Sequence, residues 1–147
     1  MAFTVVASAL LAFAALMSDR LTTRETLERI MAADEPCRAA YAKVLDLREA
    51  QAPEAEWKSA ARAGEPVCRA SFTDLDGINF FISSAGGSTS REKQAVVDRC
   101  ATLSRVRADL LAGAGAATQS VSRLSELNDE LAQADRACQD GFQRLAR

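Results

Sequence analysis

Histidine is absent from this 147-residue chain, and its absence removes several classes of protein at once. Without imidazole there is no Ser-His-Asp or Cys-His nucleophile activation, no His-containing zinc site and no haem attachment through a C-x-x-C-H motif. No other grouping of side chains has the pattern of a catalytic site. The sequence therefore predicts a non-enzymatic protein that carries no cofactor.

Aromatic residues and lysines are also scarce. Only 5% of the residues are aromatic while 48% are hydrophobic, so a core must be built largely from Ala, Leu and Val. Lysine occurs three times, and the formal net charge is only -2, which predicts no binding to nucleic acid. Arg105 and Arg107 lie beside apolar positions of one predicted helix, and we interpret them as covering apolar surface.

Charged side chains are missing from the first 18 residues, which include an apolar run from Phe3 to Met17. A helix of that length rises about 22 Å, less than the roughly 30 Å of bilayer hydrocarbon. Ala12 and Ala14 are the small residues that a signal peptidase reads. Residues 1–18 are therefore predicted to be a signal peptide or a short anchor, ahead of a single domain over residues 19–147.

This segment decides the predicted location. A cleaved signal places the protein in the periplasm or outside the cell, and an uncleaved one anchors it at the inner membrane. Membrane contact is predicted only if residues 1–18 are retained. The alternative is that the segment is a buried helix of a cytosolic bundle.

Helical patterns continue through the rest of the chain. Thr22 with Glu25 and Thr89 with Glu92 have the spacing of capping boxes at helix starts. Pro53 marks a turn, residues 64–66 (Gly-Glu-Pro) predict an interruption, and residues 83–90 predict the clearest loop. No segment alternates apolar and polar residues for long enough to predict a strand. The chain is predicted to be all-α, an antiparallel bundle of about four helices.

The last predicted helix has a repeat of seven residues. Apolar side chains occupy the repeat positions and their flanks in this order: Leu124, Leu127, Leu131, Ala134, Cys138 and Leu145. This spacing is typical of a bundle or coiled-coil seam.

The four cysteines, Cys37, Cys68, Cys100 and Cys138, fall one on each predicted helix and on its apolar face. Each successive pair is centred on or near a predicted turn, which predicts that all four sulfur atoms lie at one level, to within a helical turn. An even number of cysteines in an exported chain favours two disulfides. Free core cysteines, a metal site with four thiolates and thiol redox chemistry are the alternatives.

Pairing of Cys37 with Cys68 and of Cys100 with Cys138 is preferred, because the Pro53 turn centres the first pair best. Pairing Cys68 with Cys100 and Cys37 with Cys138 would instead join the two hairpins. An aromatic ring follows three of the cysteines by four residues, at Tyr41, Phe72 and Phe142. That spacing predicts a ring packed beside each sulfur.

Two functional hypotheses follow. The first is an exported binding or interaction module, structural or inhibitory, that recognises a protein partner. Trp57, Phe80, Phe81 and the Gly-rich loop are its candidate interaction residues. The second is a Cu or Zn binding or redox protein that uses the four cysteine thiolates.

Overall fold

Four antiparallel helices make up the fold. The structure is a computed structural model that describes residues 2–116 and 121–147, with side chains described over 23–84, 86–116 and 126–147. The helices are α1 (Ala2–Glu49), α2 (Glu54–Ala85), α3 (Ser90–Gly115) and α4 (Val121–Leu145), and the described residues contain no strand. The predicted all-α bundle is confirmed.

Helix α3 lies at the centre of the bundle. It packs on α1, α2 and α4, whereas α1 packs on α2 and α3. Within the described part of the chain, α4 has an extensive interface with α3 alone. The central position of α3 explains its burial: twelve residues of α3 are buried, including the polar side chains of Lys93, Ser104 and Arg107.

Helices α1 and α4 bury narrow apolar stripes. In α1 the fully buried side chains Ile30, Cys37 and Val44 are spaced seven residues apart. In α4 the predicted repeat is buried at Leu127, Ala134 and Cys138 and half-buried at Leu131 and Leu145, while the side chain of Leu124 lies outside the described residues. A narrow seven-residue stripe suits a helix at the outside of a bundle.

The first and second helices are longer than predicted. A helix start at Thr22 is wrong, because α1 runs unbroken from Ala2, and Glu25 pairs with Arg29 instead of closing a capping box. The interruption at residues 64–66 is also wrong, because α2 continues through Pro66. An interior proline costs roughly 3 kcal/mol in a helix, so tertiary packing must hold α2 together there.

Gly64 shows what that packing consists of. A Cβ atom at this position would lie 3.1 Å from Leu111 Cδ1 and 3.3 Å from Ala40 Cβ. The glycine therefore allows α2 to approach α1 and α3 closely, one turn before Cys68. The residue predicted to break the helix instead provides a close contact with two neighbouring helices.

The two described turns differ in chemistry. Between α1 and α2, Gln51 adopts a φ of 54° and Pro53 is the N-cap residue of α2. Between α2 and α3, Gly86 and Gly87 have φ values of 68° and 115°, which glycine adopts without strain. This loop covers only residues 86–89, so the predicted loop over residues 83–90 was too long. Thr89 is the N-cap residue of α3, as predicted, but its side chain makes no capping hydrogen bond.

Both preferred disulfides are present. Cys37 is bonded to Cys68 and Cys100 to Cys138, with Cα atoms 4.3 and 4.8 Å apart. Each bond joins the two helices of one hairpin, α1 to α2 and α3 to α4. Two buried disulfides indicate an oxidising, non-cytoplasmic compartment.

The prediction that all four sulfurs share one level is wrong. Side chains pair across α2 and α3 between Arg69 and Asp109 and between Asn79 and Asp98. This register places Cys68 about nine residues further along α3 than Cys100, or about 14 Å. The prediction failed because it centred the turn between α2 and α3 on Ser84, whereas the turn lies at residues 86–89.

The three aromatic rings that follow a cysteine by four residues differ in how deeply they are buried. Tyr41 packs against the cluster of buried residues around the Cys37–Cys68 bond, and Phe142 packs against the cluster around Cys100–Cys138. Phe72 is instead exposed over 36% of its surface. The packing of Tyr41 and Phe142 agrees with the prediction, and Phe72 is the most exposed of the three rings.

No helix within the residues that the structure describes combines the length and the apolar content required to cross a bilayer.

Candidate binding groove

An open groove separates α1 from α4, and its floor is α3. We call it the α1–α4 groove and define it by the residues Met31, Asp34, Leu103, Arg107, Asp135 and Phe142. It encloses about 270 Å³ at this position. The groove exists because α4 packs on α3 without closing against α1 along the described part of the chain.

A polar cluster lies in the floor and one wall of the groove. Arg107 Nη1 donates a 2.9 Å hydrogen bond to Asp34 Oδ1, and Ser104 Oγ donates to the same oxygen over 3.3 Å. Ser104 is fully buried, and Arg107 is 8% exposed. A charge this deeply buried requires a partner, because an isolated buried guanidinium would be strongly destabilising. Asp34 supplies that partner and links α1 to α3.

Apolar surface flanks this cluster. Met31 is 61% exposed on the α1 wall, Phe142 is half-buried on the α4 wall, and Leu103 is buried beneath them. Exposed methionine adapts to different partner shapes, because its side chain is flexible and polarizable. This end of the groove is therefore suited to an apolar side chain of a ligand.

Charged residues form the rim. Arg38 pairs with Glu35 on the α1 side, and Gln139 Nε2 donates a 2.9 Å hydrogen bond to Asp135 Oδ2 on the α4 side. Pairs on exposed helix surfaces contribute little to stability. They are consequently available to exchange partners when a ligand binds.

The groove continues toward the Pro53 end of the bundle. A second space of about 250 Å³ is lined by Tyr41, Arg107, Leu131 and Asp135, together with Asn128 and Ala132. Burial raises the pKa of the Tyr41 phenol above its usual value of 10.0, while the nearby positive charges of Arg107 and Arg48 oppose that rise. The phenol therefore stays protonated at neutral pH.

Chemically, this groove offers binding contacts. In the part of the chain with described side chains, no three or more Cys, Asp or Glu residues are grouped in a way that could hold a metal ion. All four cysteine sulfurs are in disulfides. What remains is apolar surface beside buried and rim charges, the composition of a recognition site.

The predicted interaction residues lie elsewhere and do not form one surface. Trp57 is half-buried near the Pro53 turn, with Arg48 Cζ 5.4 Å and Lys58 Nζ 5.8 Å from its ring centroid. Phe80 and Phe81 are 76% and 56% exposed near the opposite end of α2. Twenty-three residues of helix separate Trp57 from Phe80, a rise of about 35 Å.

Sequence reasoning missed the groove and misplaced Arg107. Its predicted role, covering apolar surface, is wrong, because the side chain is buried in an ion pair with Asp34. Arg105 does lie at the edge of the core, where it pairs with Asp109 and with Glu130 of α4. One signal pointed to the buried charge: Arg107 follows Cys100 by seven residues, which puts it on the apolar stripe of α3.

Comparison of the chain with protein-family models, with curated proteins and with solved structures finds no match.

Proposed function

We propose that this protein is a non-enzymatic, extracytoplasmic binding module whose α1–α4 groove accepts an α-helix of a partner protein. The open seam between α1 and α4 carries the proposal. Four-helix bundles normally close every outer seam with apolar contacts. Here Met31 remains exposed at the seam, and Arg107 lies at its base.

The dimensions favour a helix over an extended peptide or a small ligand. From Met31 to Tyr41 the groove follows ten residues of α1, about 15 Å, which matches nearly three turns of a second helix. A helix placed there would pack on α1, α3 and α4 together. Helix-in-groove recognition uses apolar anchors at i, i+3, i+4 and i+7, with polar residues outside them.

Charge at the rim indicates the polar face of such a helix. Asp135 lines both parts of the groove, and Asp34 is accessible over 18% of its side chain. A partner helix with a Lys or Arg beside its apolar stripe would complement these carboxylates. The expected partner segment is therefore amphipathic and basic.

Location is part of this proposal. The disulfides support an oxidising compartment, and the uncharged N-terminal residues 1–18 supply an export signal or anchor. The periplasm or the cell exterior is the proposed location.

The thiolate-based metal or redox hypothesis has weaker support. The two sulfur pairs are about 14 Å apart along the bundle, so reduced cysteines at these positions could not ligate one ion together. Neither pair has the C-x-x-C spacing that lowers a thiol pKa. We therefore prefer the binding module.

Site-specific photocross-linking tests the proposal. A photoreactive phenylalanine is placed singly at Met31 and at Gln139, on the two groove walls, and at exposed Ser59 on α2 as the control. The same protein should be cross-linked from both walls and not from Ser59. Adding Met31→Lys should weaken the Gln139 cross-link, because an ammonium group would remove the apolar contact on the α1 wall and repel a basic partner helix.

Identification of the cross-linked peptide completes the test. The proposal requires that the peptide lie in a helical segment with an apolar stripe and a basic flank. Cross-links that are identical from Ser59 and from the groove walls, or that map to a non-helical segment, would contradict it.

A further inference from the structure

Among the residues with described side chains, the most exposed aromatic ones lie at the end of the bundle formed by the α2–α3 loop. We call it the loop end and define it by Phe80, Phe81, Gly86 and Gly87. Phe80 is 76% exposed and Phe81 is 56% exposed, and both lie within about 8 Å of the end of α2. Two adjacent large rings exposed in this way are unusual on a protein surface that faces only water.

The aromatic residue near the other end of the bundle is in a different environment. Trp57 is half-buried near the Pro53 turn and lies beside the cationic groups of Arg48 and Lys58. The two ends therefore differ in how much aromatic surface they present. Among the described aromatic residues at the two ends, those at the loop end are the more exposed.

Helix α1 extends beyond the bundle at this same loop end. The register set by the Cys37–Cys68 bond places Ala85, the last residue of α2, opposite Arg20 of α1. The α1 backbone continues to Ala2, so about 18 residues, or about 27 Å of helix, extend past α2. The uncharged run from Phe3 to Met17 falls entirely within that extension.

We propose that the loop end rests on a lipid bilayer, with the N-terminal run retained as its anchor and Phe80 and Phe81 inserted at the interface. Continuity of the run with the exposed rings identifies lipid as the occupant. Two membrane contacts at one end bind far better than one alone, because the second operates at a high local concentration. The α1–α4 groove then begins near this end, at Phe142 and Met31, and extends away from the membrane toward Tyr41.

Arg29 has the geometry expected of an interfacial side chain. Its guanidinium lies 5.6 Å from the centroid of the Phe81 ring and also pairs with Glu25. A long cationic side chain can cover a ring with its stem and keep its charge among the headgroups.

Tryptophan fluorescence tests the contact directly, because Trp57 is the only tryptophan. The full chain carrying Trp57→Phe and Phe80→Trp is bound to phosphatidylethanolamine–phosphatidylglycerol vesicles that contain lipids brominated near the headgroup. Emission from residue 80 should shift to the blue and be quenched by the bromines. The unmodified chain on the same vesicles is the control, and its Trp57 emission should not be quenched.

A second measurement separates the rings from the N-terminal run. The double substitution Phe80→Ser and Phe81→Ser should weaken vesicle partitioning of the full chain by roughly tenfold or more, since two rings lose their burial. Leu45→Ser, at an exposed apolar residue of α1 near the other end, should leave partitioning unchanged. Circular dichroism before and after heating verifies that each variant folds.

Two results would overturn the proposal. One is bound protein in which the emission of residue 80 is no more quenched than that of Trp57. The other is an equal loss of partitioning in the Leu45→Ser and double-serine chains.

Discussion

The two outer helices, α1 and α4, are both tied to a neighbour by a disulfide, yet they are held in place differently. Helix α1 packs on α2 and α3 and adds the Asp34–Arg107 ion pair to α3. Along its described residues, α4 packs extensively on α3 alone and adds the Arg105–Glu130 contact of 2.7 Å. The α1 wall of the α1–α4 groove thus packs on two helices, whereas the α4 wall packs extensively on one.

This difference explains how a stable bundle keeps an open seam. The Cys100–Cys138 bond provides a covalent link in place of the second extensive helix interface that α4 lacks along its described residues. A disulfide restricts the unfolded chain whether or not the helix has other neighbours. The groove can therefore remain free for a partner while α4 stays in position.

The largest expected effect comes from removing that bond. Replacing both Cys100 and Cys138 by alanine should lower the free energy of unfolding by about 4 kcal/mol, from the loop closed over a sequence separation of 38 residues. Helix α4 should also lose amide exchange protection before the rest of the bundle, because its described residues form one extensive interface, with α3. Chemical denaturation and hydrogen exchange measure the two effects.

The matched variant replaces Cys37 and Cys68 by alanine. The loop has a separation of 31 residues, so the loss of stability should be similar, about 4 kcal/mol. Here α1 should keep its protection until global unfolding, because α2 and α3 still hold it. Early loss of protection in α1 as well would show that the two outer helices are supported equally.

The next effect concerns the ion pair that fastens α1 to α3. Asp34→Ala should cost about 2–3 kcal/mol, less than the full value for a buried pair because the Asp34 side chain is 18% exposed. The loss arises from the unpaired guanidinium of Arg107. Thermal or denaturant unfolding gives the value.

The double variant Asp34→Ala with Arg107→Met is its control. Removing both charges should recover much of the stability, since an apolar side chain tolerates the buried position. The opposite result is a loss of stability in the double variant equal to the sum of the losses measured for Asp34→Ala and Arg107→Met singly. That result would show that the two side chains are not coupled across the two helices.

A smaller effect is expected at the contact between α3 and α4. A Cβ atom at Gly141 would lie 3.0 Å and 3.2 Å from the two Cγ atoms of Val96, a stiff and buried side chain. Gly141→Ala should therefore destabilise the protein by about 1 kcal/mol, as overpacking outweighs the improved helix propensity.

Gly77 supplies the comparison for Gly141. A Cβ atom there meets nothing within 4 Å. Gly77→Ala should stabilise the protein by about 0.5–1 kcal/mol through helix propensity alone. A lower unfolding free energy for Gly141→Ala together with a higher one for Gly77→Ala would support the tight approach of α4 to α3. Changes of the same sign in the two variants would argue against it.

The smallest effect is a pH dependence at Tyr41, where α1 borders the groove. Burial raises the phenol pKa in the folded protein above 10.0, so the unfolded chain loses this proton first. The stability from Tyr41 is complete below about pH 10 and is lost as the pH rises through the folded pKa. Because the ring is only partly buried and the charges of Arg107 and Arg48 oppose the rise in pKa, this loss of stability should be the smallest of those considered.

Tyr41→Phe isolates this contribution. The variant should show a flatter decline in unfolding free energy than the original chain between about pH 9 and pH 11. Parallel declines would mean that the phenol is as hydrated in the folded protein as in the unfolded chain.

Much of the architecture was predictable because its determinants are local. The apolar stripe of α4, the turn at Pro53 and the cysteines on the apolar faces are read from neighbouring residues. They predicted the bundle and the disulfide partners, Cys37 with Cys68 and Cys100 with Cys138. The Pro53 turn located the first pair because it is short, so the sequence midpoint is also the spatial midpoint.

The candidate groove could not be predicted in the same way. Arg107 lies on the apolar stripe of α3, but its partner Asp34 is 73 residues away in the sequence. Nothing in the pattern of either helix indicates that α4 leaves this region open. Exposure of Met31 likewise depends on a neighbour being absent, which no local pattern records.

By itself, the sequence determined that the chain forms helices, which face of most helices packs against the core, and which cysteines meet across a short turn. These features depend on hydrogen bonds within a helix and on periodicity over a few residues. Tertiary structure alone decided that α2 continues through Gly64 and Pro66, that α2 and α3 align about the 86–89 loop, and that α1 and α4 stay apart. Those outcomes depend on how side chains from distant segments fit together, because packing between helices can outweigh a local helix-breaking signal and sets the register of one helix on another.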